Sequence, residues 1–292
     1  MNLILQGLHP DPHAIERIAA LAGAQRTTPI HDKAFRCEGV NDSAELKQAV
    51  DAACFAARLD YAFLPPDRCL TDFKLLVMDM DSTLITIECI DEIADMQGLK
   101  PQVATITEAA MRGEIEFRES LLRRVALLQG LDAHALQRVY DERLRLSPGA
   151  EPMLAAVRAA GLKTLLVSGG FTFFTDRMQA RLGLDFSHAN VLEIVDGKLT
   201  GRVAGGIVDA DEKRRTVERV CAELHIEPRQ AIIMGDGAND LKMMAIAGLS
   251  VAYRAKPVVR AQADIALNFV GLDGILPLLT WPPQAGNTGS QR

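Results

Sequence analysis

The sequence predicts an α/β chain: a parallel sheet flanked by helices, preceded by a small α+β unit. Three observations predict it. Leu75, Leu76, Val77 and Met78 are apolar without alternation, the pattern of a strand buried on both faces of a parallel sheet. Further strand candidates at 162–167 and 231–234 follow segments with helical spacing. The first 72 residues read strand, helix, strand, strand, helix, strand.

The 292 residues, 48% apolar and 24% charged, fit one large or two modest domains with ample core. A net charge of -6 argues against a basic nucleic-acid footprint. The five cysteines are odd in number and scattered, with no Cys-x-x-Cys pair, so neither a disulfide framework nor a thiolate zinc site is expected. The N-terminus lacks a basic n-region, and no apolar run approaches the ~20 residues that span a bilayer. A cytoplasmic protein with neither nucleic-acid nor membrane partners is expected.

In the first unit, 2–8 is an apolar strand. Pro12 starts a helix over 12–21, with Ile15, Ile18, Ala19 and Leu21 on its apolar face. Two short strands within 25–40 turn around His31 and Asp32. A cap cluster, Asn41, Asp42 and Ser43, starts a helix to 57, and a strand at 61–64 stops at Pro65 and Pro66. The order βαββαβ is that of a ferredoxin-like sandwich over 1–72.

The stretch from 90 to 146 carries about four short helical patterns punctuated by Gly98, Gly113 and Gly130. Inserted after the strand at 75–78, it occupies the position of a cap over the sheet's edge. The α/β pattern resumes with a helix at 150–160, a strand at 162–167 and a helix at 171–182. A hairpin follows across 190–203 with its turn at Asp196 and Gly197, then a helix at 212–225. The strand at 231–234 leads to a helix at 241–247 with Asn239 as its N-cap, and strands at 249–252 and 265–267 follow. A disordered polar tail is expected over 282–292.

Chemistry gathers at the strand ends. Asp79 and Asp81 follow the first buried strand one residue apart, where open α/β sheets place their ligands. Two like charges so close require a cation between them or a shared proton. A hard cation such as Mg2+ meets that need, as does the nucleophile and acid/base pair of aspartyl-phosphate chemistry. A solvated turn uses the same residues. Ser168, Gly169 and Gly170 open a helix in a form suited to a phosphate, although such turns also simply join strand to helix. Asp236, between two glycines, repeats the acidic strand end, with Asp240 just beyond.

Asp-Met-Asp-Ser-Thr at 79–83, Ser-Gly-Gly at 168–170, Lys213 and Gly-Asp-Gly-Ala-Asn-Asp at 235–240 together resemble the haloacid-dehalogenase superfamily. The runs DMDSTLITIECIDEIA at 79–94 and MRGEIEFRESLLRRVALLQG at 111–130 resemble its phosphoserine phosphatases more closely. The resemblance covers about 73–270. It implies a Rossmann-like core over 73–281 with a small helical cap at about 90–146, acting with Mg2+ on O-phosphoserine. Asp79 would be the nucleophile and Asp81 the general acid/base. The metal would be held by Asp79, the Asp81 backbone carbonyl and Asp236, with Asp240 steadying its water shell and Lys213. Ser168, the Gly169 amide, Lys213 and Asn239 would hold the phosphoryl oxygens. Glu88 would take the substrate's ammonium and Arg124 its carboxylate, with Met111 and Phe117 as apolar cap residues. Spacing alone does not choose Arg124 over Arg112, Arg118 or Arg123.

The first 72 residues resemble ACT-type modules, which implies an amino-acid sensor; a dimerisation or packing module fits the same order, and a homodimer through this unit is one expectation. Transfer of the phosphoryl group to another small alcohol, such as homoserine, would use the same four motifs.

Overall fold

The computed structural model describes residues 1–112 and 114–280, without the side chain of Met111. The tail expected over 282–292 lies outside the described residues. In chain order the first elements are β1 (Asn2–Gln6), α1 (Pro12–Leu21), β2 (Arg26–His31), β3 (Ala34–Glu38), α2 (Ala44–Ala56) and β4 (Asp60–Leu64). Then come β5 (Leu75–Met78), α3 (Cys89–Asp95), α4 (Lys100–Met111), α5 (Phe117–Ala126), α6 (His134–Arg138), α7 (Ala150–Ala159), β6 (Lys163–Phe171) and α8 (Thr172–Leu182). The remainder is β7 (Phe186–Val195), β8 (Lys198–Ala204), α9 (Ala210–Glu223), β9 (Ala231–Gly235), α10 (Leu241–Met244), β10 (Leu249–Tyr253), α11 (Pro257–Arg260) and β11 (Ile265–Leu267). Among the described residues no helix is long and apolar enough to cross a membrane.

The chain forms two compact units. One joins residues 1–74 to 148–162 and to the segment from 264 onward; the other holds 75–147 and 163–263. In the first, β1 lies between β3 and β4 and pairs antiparallel with both, giving the order β2-β3-β1-β4. β11 adds antiparallel to β4. α1 and α2 follow from their caps: Asp11 accepts from the His13 amide and Pro12 fills the first turn, while Ser43 accepts from the Leu46 amide. Their inner faces bury Ile15, Ile18, Val50 and Cys54 against Leu3, Leu5 and Cys37 of the sheet.

The second unit holds a sheet ordered β10-β9-β5-β6-β7-β8. β10, β9, β5, β6 and β7 run parallel, and β8 returns antiparallel from β7. Leu75, Leu76, Val77 and Met78 are all 0% exposed. Each such burial contributes about 1.5–3 kcal/mol, which is why the central strand has no polar face. Met78 pairs with both Leu166 and Met234, so the residues that follow these three positions emerge side by side at one edge, with β6 continuing beyond it along β7. Helices α3 to α6 lie between β5 and the next strand of this sheet in sequence.

Three local readings are corrected. β6 does not stop at Val167 but runs to Phe171 with a shifted register, because its loop residues rejoin β7 at Asn190. The helix expected over 241–247 ends at Met244. Asn239 is not its cap: residues 238–240 form a tight turn, and Asp240 folds back to accept from the Asp236 and Gly237 amides, so the turn uses the residues that a longer helix would need.

Candidate active site

Immediately after β5 the chain makes one wide turn. Asp79 donates its amide to the Met234 carbonyl, extending the ladder by one residue, and the Ile85 amide then reaches back to the Met80 carbonyl. Ser82 sits in the left-handed region at φ 56°, an uncommon conformation for a residue with a Cβ. Its hydroxyl donates to Glu88 Oε1 at 2.7 Å, tying the turn to the start of α3. Met80 and Asp79 are buried, and Asp81 is partly buried.

Lys213 rises from the first turns of α9, whose N-cap is Asp209. Its side chain is 0% exposed and donates at 2.7 Å to Asp79 Oδ1 and at 2.7 Å to Asp240 Oδ1. Burial alone would push this ammonium down; the charges of Asp240 and Asp79 outweigh it and hold Lys213 above its ordinary range. Asp240 Oδ2 accepts from the Asp236 amide at 3.1 Å and the Gly237 amide at 3.0 Å. A Cβ at Gly235 would lie 2.5 Å from Asp240 Oδ2, so the loop closes only around a glycine there. Thr83 Oγ1 donates to Asp236 Oδ1 at 3.2 Å. Carboxylate oxygens of Asp79, Asp236 and Asp240 all lie within 4.8 Å of one another.

Crowding sets the protonation. Burial and the Asp240 charge push Asp79 well above the carboxylate range, against the pull of Lys213. Burial and the Glu88 charge push Asp81 up to about 8, and its Oδ1 is buried with no hydrogen-bond partner among the described residues. Burial and Asp240 push Asp236 up to about 7. Within the cluster of Asp79, Asp236 and Asp240, the first two keep unspent acceptor capacity, since Asp240 is committed on both oxygens. Hard oxygen donors that mutually disfavour ionisation suit a small divalent cation.

The neighbouring loop supplies neutral donors. Ser168 is 1% exposed, and its Oγ accepts from the Gly170 amide at 2.9 Å. A Cβ on Gly169 would fall 3.1 Å from Phe117 Cζ and 3.9 Å from Asn239 Nδ2; one on Gly170 would fall 3.0 Å from Asp81 Oδ2. The loop glycines are thus the point where Phe117, Asn239 and Asp81 converge. Phe117 and Arg124 both belong to α5, and Arg124 Nε donates to the Ser120 carbonyl at 3.4 Å. Burial lowers the Arg124 guanidinium, opposed by the charges of Asp91, Glu88 and Asp81. Glu88 opens to solvent on one side while the surrounding protein raises its carboxyl, and the Ser82 hydroxyl opposes that rise. The side chain of Met111 lies outside the described residues.

Sequence reasoning passed over Thr83, Ser82 and Asp91. Thr83 and Ser82 stood within the Asp-Met-Asp-Ser-Thr run, where hydroxyls beside paired carboxylates were the available signal. Asp91 Oδ1 is buried with no hydrogen-bond partner among the described residues, one turn beyond Glu88. Nothing in its helical context marks it in the sequence.

A family model described as haloacid dehalogenase-like hydrolase matches residues 73–248. A domain of unknown function, DUF4072, matches residues 3–46. A phosphoserine phosphatase from a Polaromonas species is 59% identical over 219 residues, covering 73% of this chain and 93% of that protein. The crystal structure of a HAD family hydrolase from Salmonella enterica serovar Typhi superposes with TM-score 0.84 at 32% identity, covering 96% of this chain and 99% of that one. That of a probable phosphoserine phosphatase from Vibrio cholerae gives 0.80 at 37% identity, covering 95% and 86%. An acidic strand end, a Ser-Gly-Gly loop and a buried lysine meeting at one sheet edge agree with these likenesses: the chain belongs to the haloacid dehalogenase-like hydrolases, in the family of the phosphoserine phosphatases.

Proposed function

We propose that the chain hydrolyses O-phosphoserine to serine and phosphate through an aspartyl phosphate formed on Asp79. The observation that carries this reading is the pairing of Asp79, held at 2.7 Å by a fully buried Lys213, with Asp81, whose carboxyl burial and the Glu88 charge push up to about 8. A nucleophile and a proton donor two positions apart in one crevice are the parts that phosphoryl transfer needs from the protein.

Asp79 attacks phosphorus while Asp81 gives its proton to the departing serine oxygen. Asp81, now ionised, takes a proton from the water that cleaves the acyl phosphate, which restores both carboxyls. Lys213, the Ser168 hydroxyl, the Gly169 amide and the Asn239 side-chain amide hold the phosphoryl oxygens as charge shifts among them. Asp79, Asp236 and the Asp81 carbonyl would hold Mg2+, with Asp240 steadying Lys213 and the water shell. That ion supplies Lewis-acid stabilisation of a phosphate oxygen and offsets the clustered carboxylates.

The cap, about 90–146, selects the substrate: Glu88 accepts from the ammonium, Arg124 binds the carboxylate, and Met111 and Phe117 are its apolar residues. Support comes from Phe117 and Arg124 sharing α5, with the Phe117 ring reaching the Gly169 loop. The strand order β2-β3-β1-β4 supports a ferredoxin-like reading of 1–72, an ACT-like module that binds an amino acid or pairs two copies. The remaining core spans 73–281, and the reduced state of the five cysteines fits the cytosol.

The test is phosphate release from L- and D-phosphoserine, phosphothreonine and a sugar phosphate, each with Mg2+ and with EDTA. A Mg2+-dependent preference for phosphoserine is expected. Preference for the sugar phosphate would overturn the assignment of Glu88 and Arg124, and activity undiminished by EDTA would overturn the metal.

A further inference from the structure

We propose that Asn190 is a positioning residue for phosphoryl binding: its side-chain amide locks the Gly169–Gly170 peptide plane to the loop that leads into α9. The inference rests on the phosphatase reading above.

The need arises from the sheet. β6 and β7 pair in register from Leu165–Phe186 to Val167–His188, and pairing resumes at Phe171–Asn190. Four residues of β6 are matched by two of β7, so Ser168, Gly169 and Gly170 bulge out of the ladder. A bulge in a buried strand leaves backbone groups without their cross-strand partners. Asn190, 1% exposed, answers this with its side chain: Nδ2 donates to the Gly169 carbonyl at 2.8 Å.

That carbonyl and the Gly170 N–H belong to one rigid peptide unit. The Gly170 N–H donates to Ser168 Oγ at 2.9 Å. Asn190 therefore fixes one side of the plane whose other side occupies a lone pair of the Ser168 hydroxyl. With that lone pair spent, the hydroxyl proton is free to point at an anion. The orientation of the Ser168 donor is thus set two bonds away by Asn190.

The other end of the amide does a second job. Asn190 Oδ1 accepts from the Val208 amide at 2.8 Å. Asp209 follows; its side chain caps α9 through the Glu212 amide at 2.9 Å, and its carbonyl accepts from the Lys213 amide at 2.9 Å. One planar group, donor at one end and acceptor at the other, ties the phosphate loop to the turn that carries Lys213. Among side chains of this length, only the primary amide offers both at neutral pH, since a carboxyl there is ionised and accepts only; a Gln is a methylene longer.

Asn190→Asp keeps the acceptor for Val208 but sets a carboxylate oxygen against the Gly169 carbonyl; Asn190→Ala removes both bonds. The measurements are kcat and KM for phosphoserine, product inhibition by orthophosphate and by L-serine, and calorimetric binding of orthophosphate to the Mg2+-loaded protein. Both variants should lose about tenfold or more in kcat and bind orthophosphate about tenfold more weakly, a change of about 1.4 kcal/mol, with L-serine inhibition within about twofold of wild type. Relative to wild type, the Asn190→Asp deficit should shrink as pH falls from about 9 to about 5, since a protonated carboxyl regains the donor. Unchanged orthophosphate binding, or equal weakening toward serine and phosphate, would overturn the proposal. So would loss of folding in both variants by circular dichroism, which would assign the amide to stability alone. Orthophosphate binding is read without turnover, so a wild type that binds phosphate yet leaves phosphoserine intact would refute the substrate reading and leave the Asn190 test standing.

Discussion

Lys213 Nζ, fully buried, donates to Asp79 Oδ1 across 2.7 Å, and the same ammonium holds Asp240 at 2.7 Å. Removing it strands two carboxylates in a buried site. Breaking a buried pair from one side costs about 3–5 kcal/mol, so Lys213→Met should lower the urea midpoint markedly in EDTA, with Mg2+ restoring part of the loss. It also removes a positive charge from the transferring phosphoryl group. A fall in kcat of about 10²–10³-fold is expected. Phosphate release together with urea melts checks both; an unchanged melt would mean that Asp79 and Asp240 do not depend on this partner.

Asp79→Asn separates chemistry from stability. The carboxylate is held above its normal range by burial and by Asp240, so folding gains little from its ionisation. The amide should abolish turnover while leaving the thermal midpoint in EDTA equal to or above wild type. Single-turnover assays with radiolabelled phosphoserine would also show no protein-bound phosphate. Residual turnover beyond trace level would contradict a nucleophilic role.

The acidic cluster fixes the sign of the pH dependence. Folding raises Asp81 to about 8 and Asp236 to about 7, whereas unfolded carboxylates titrate near about 4. Between those values the native state binds more protons than the unfolded chain, so stability falls as pH rises through the window and levels off above it. Urea midpoints in EDTA should therefore decline from about pH 4 to about pH 8. Mg2+ favours the ionised carboxylates and should flatten the decline. Melts at five pH values with and without Mg2+ decide it, and a midpoint that climbs across this window would refute the account.

Strand ends were the legible part of this sequence. The run 75–78 announced a doubly buried strand because every position is apolar, and the shared register of β5, β6 and β9 then set Asp79, Ser168 and Asp236 just beyond paired positions at one edge. Helix starts were legible where a cap residue met a periodic run, as at Pro12 and Ser43. What the sequence hid were contacts made by ordinary residues at long range. Asn190 resembles any polar residue in a strand until the β6 bulge appears, and that bulge is a register effect between two strands. Asn239 read as a cap because residue type favours it, but Asp240 won by accepting from two amides at once.

Arg124→Ala tests the cap. Its guanidinium is partly buried among the charges of Asp91, Glu88 and Asp81 and makes a long bond to the Ser120 carbonyl. Loss of a charge-assisted bond is worth about 1.5–3 kcal/mol, so kcat/KM for phosphoserine should fall roughly 10- to 100-fold, while p-nitrophenyl phosphate is affected far less. Parallel loss on both substrates would assign the arginine to phosphate or to structure.

Asp60 gives a stability prediction in the first unit. It is 1% exposed at the start of β4, and its carboxylate accepts from three consecutive amides, Asn268 at 2.7 Å and Phe269 and Val270 at 2.9 Å. These amides follow β11, which pairs with β4 at Tyr61, so one side chain terminates the strand and satisfies the turn beyond it. Asp60→Ala leaves three donors in a buried site. Each unsatisfied group costs about 1–3 kcal/mol, non-additively, and a total of about 3–5 kcal/mol is expected from urea melts. Asp60→Asn retains an acceptor oxygen and should recover about half. Hydrogen exchange should locate the loss at residues 265–270. If Asp60→Ala melts like wild type, the three bonds contribute nothing that water does not replace.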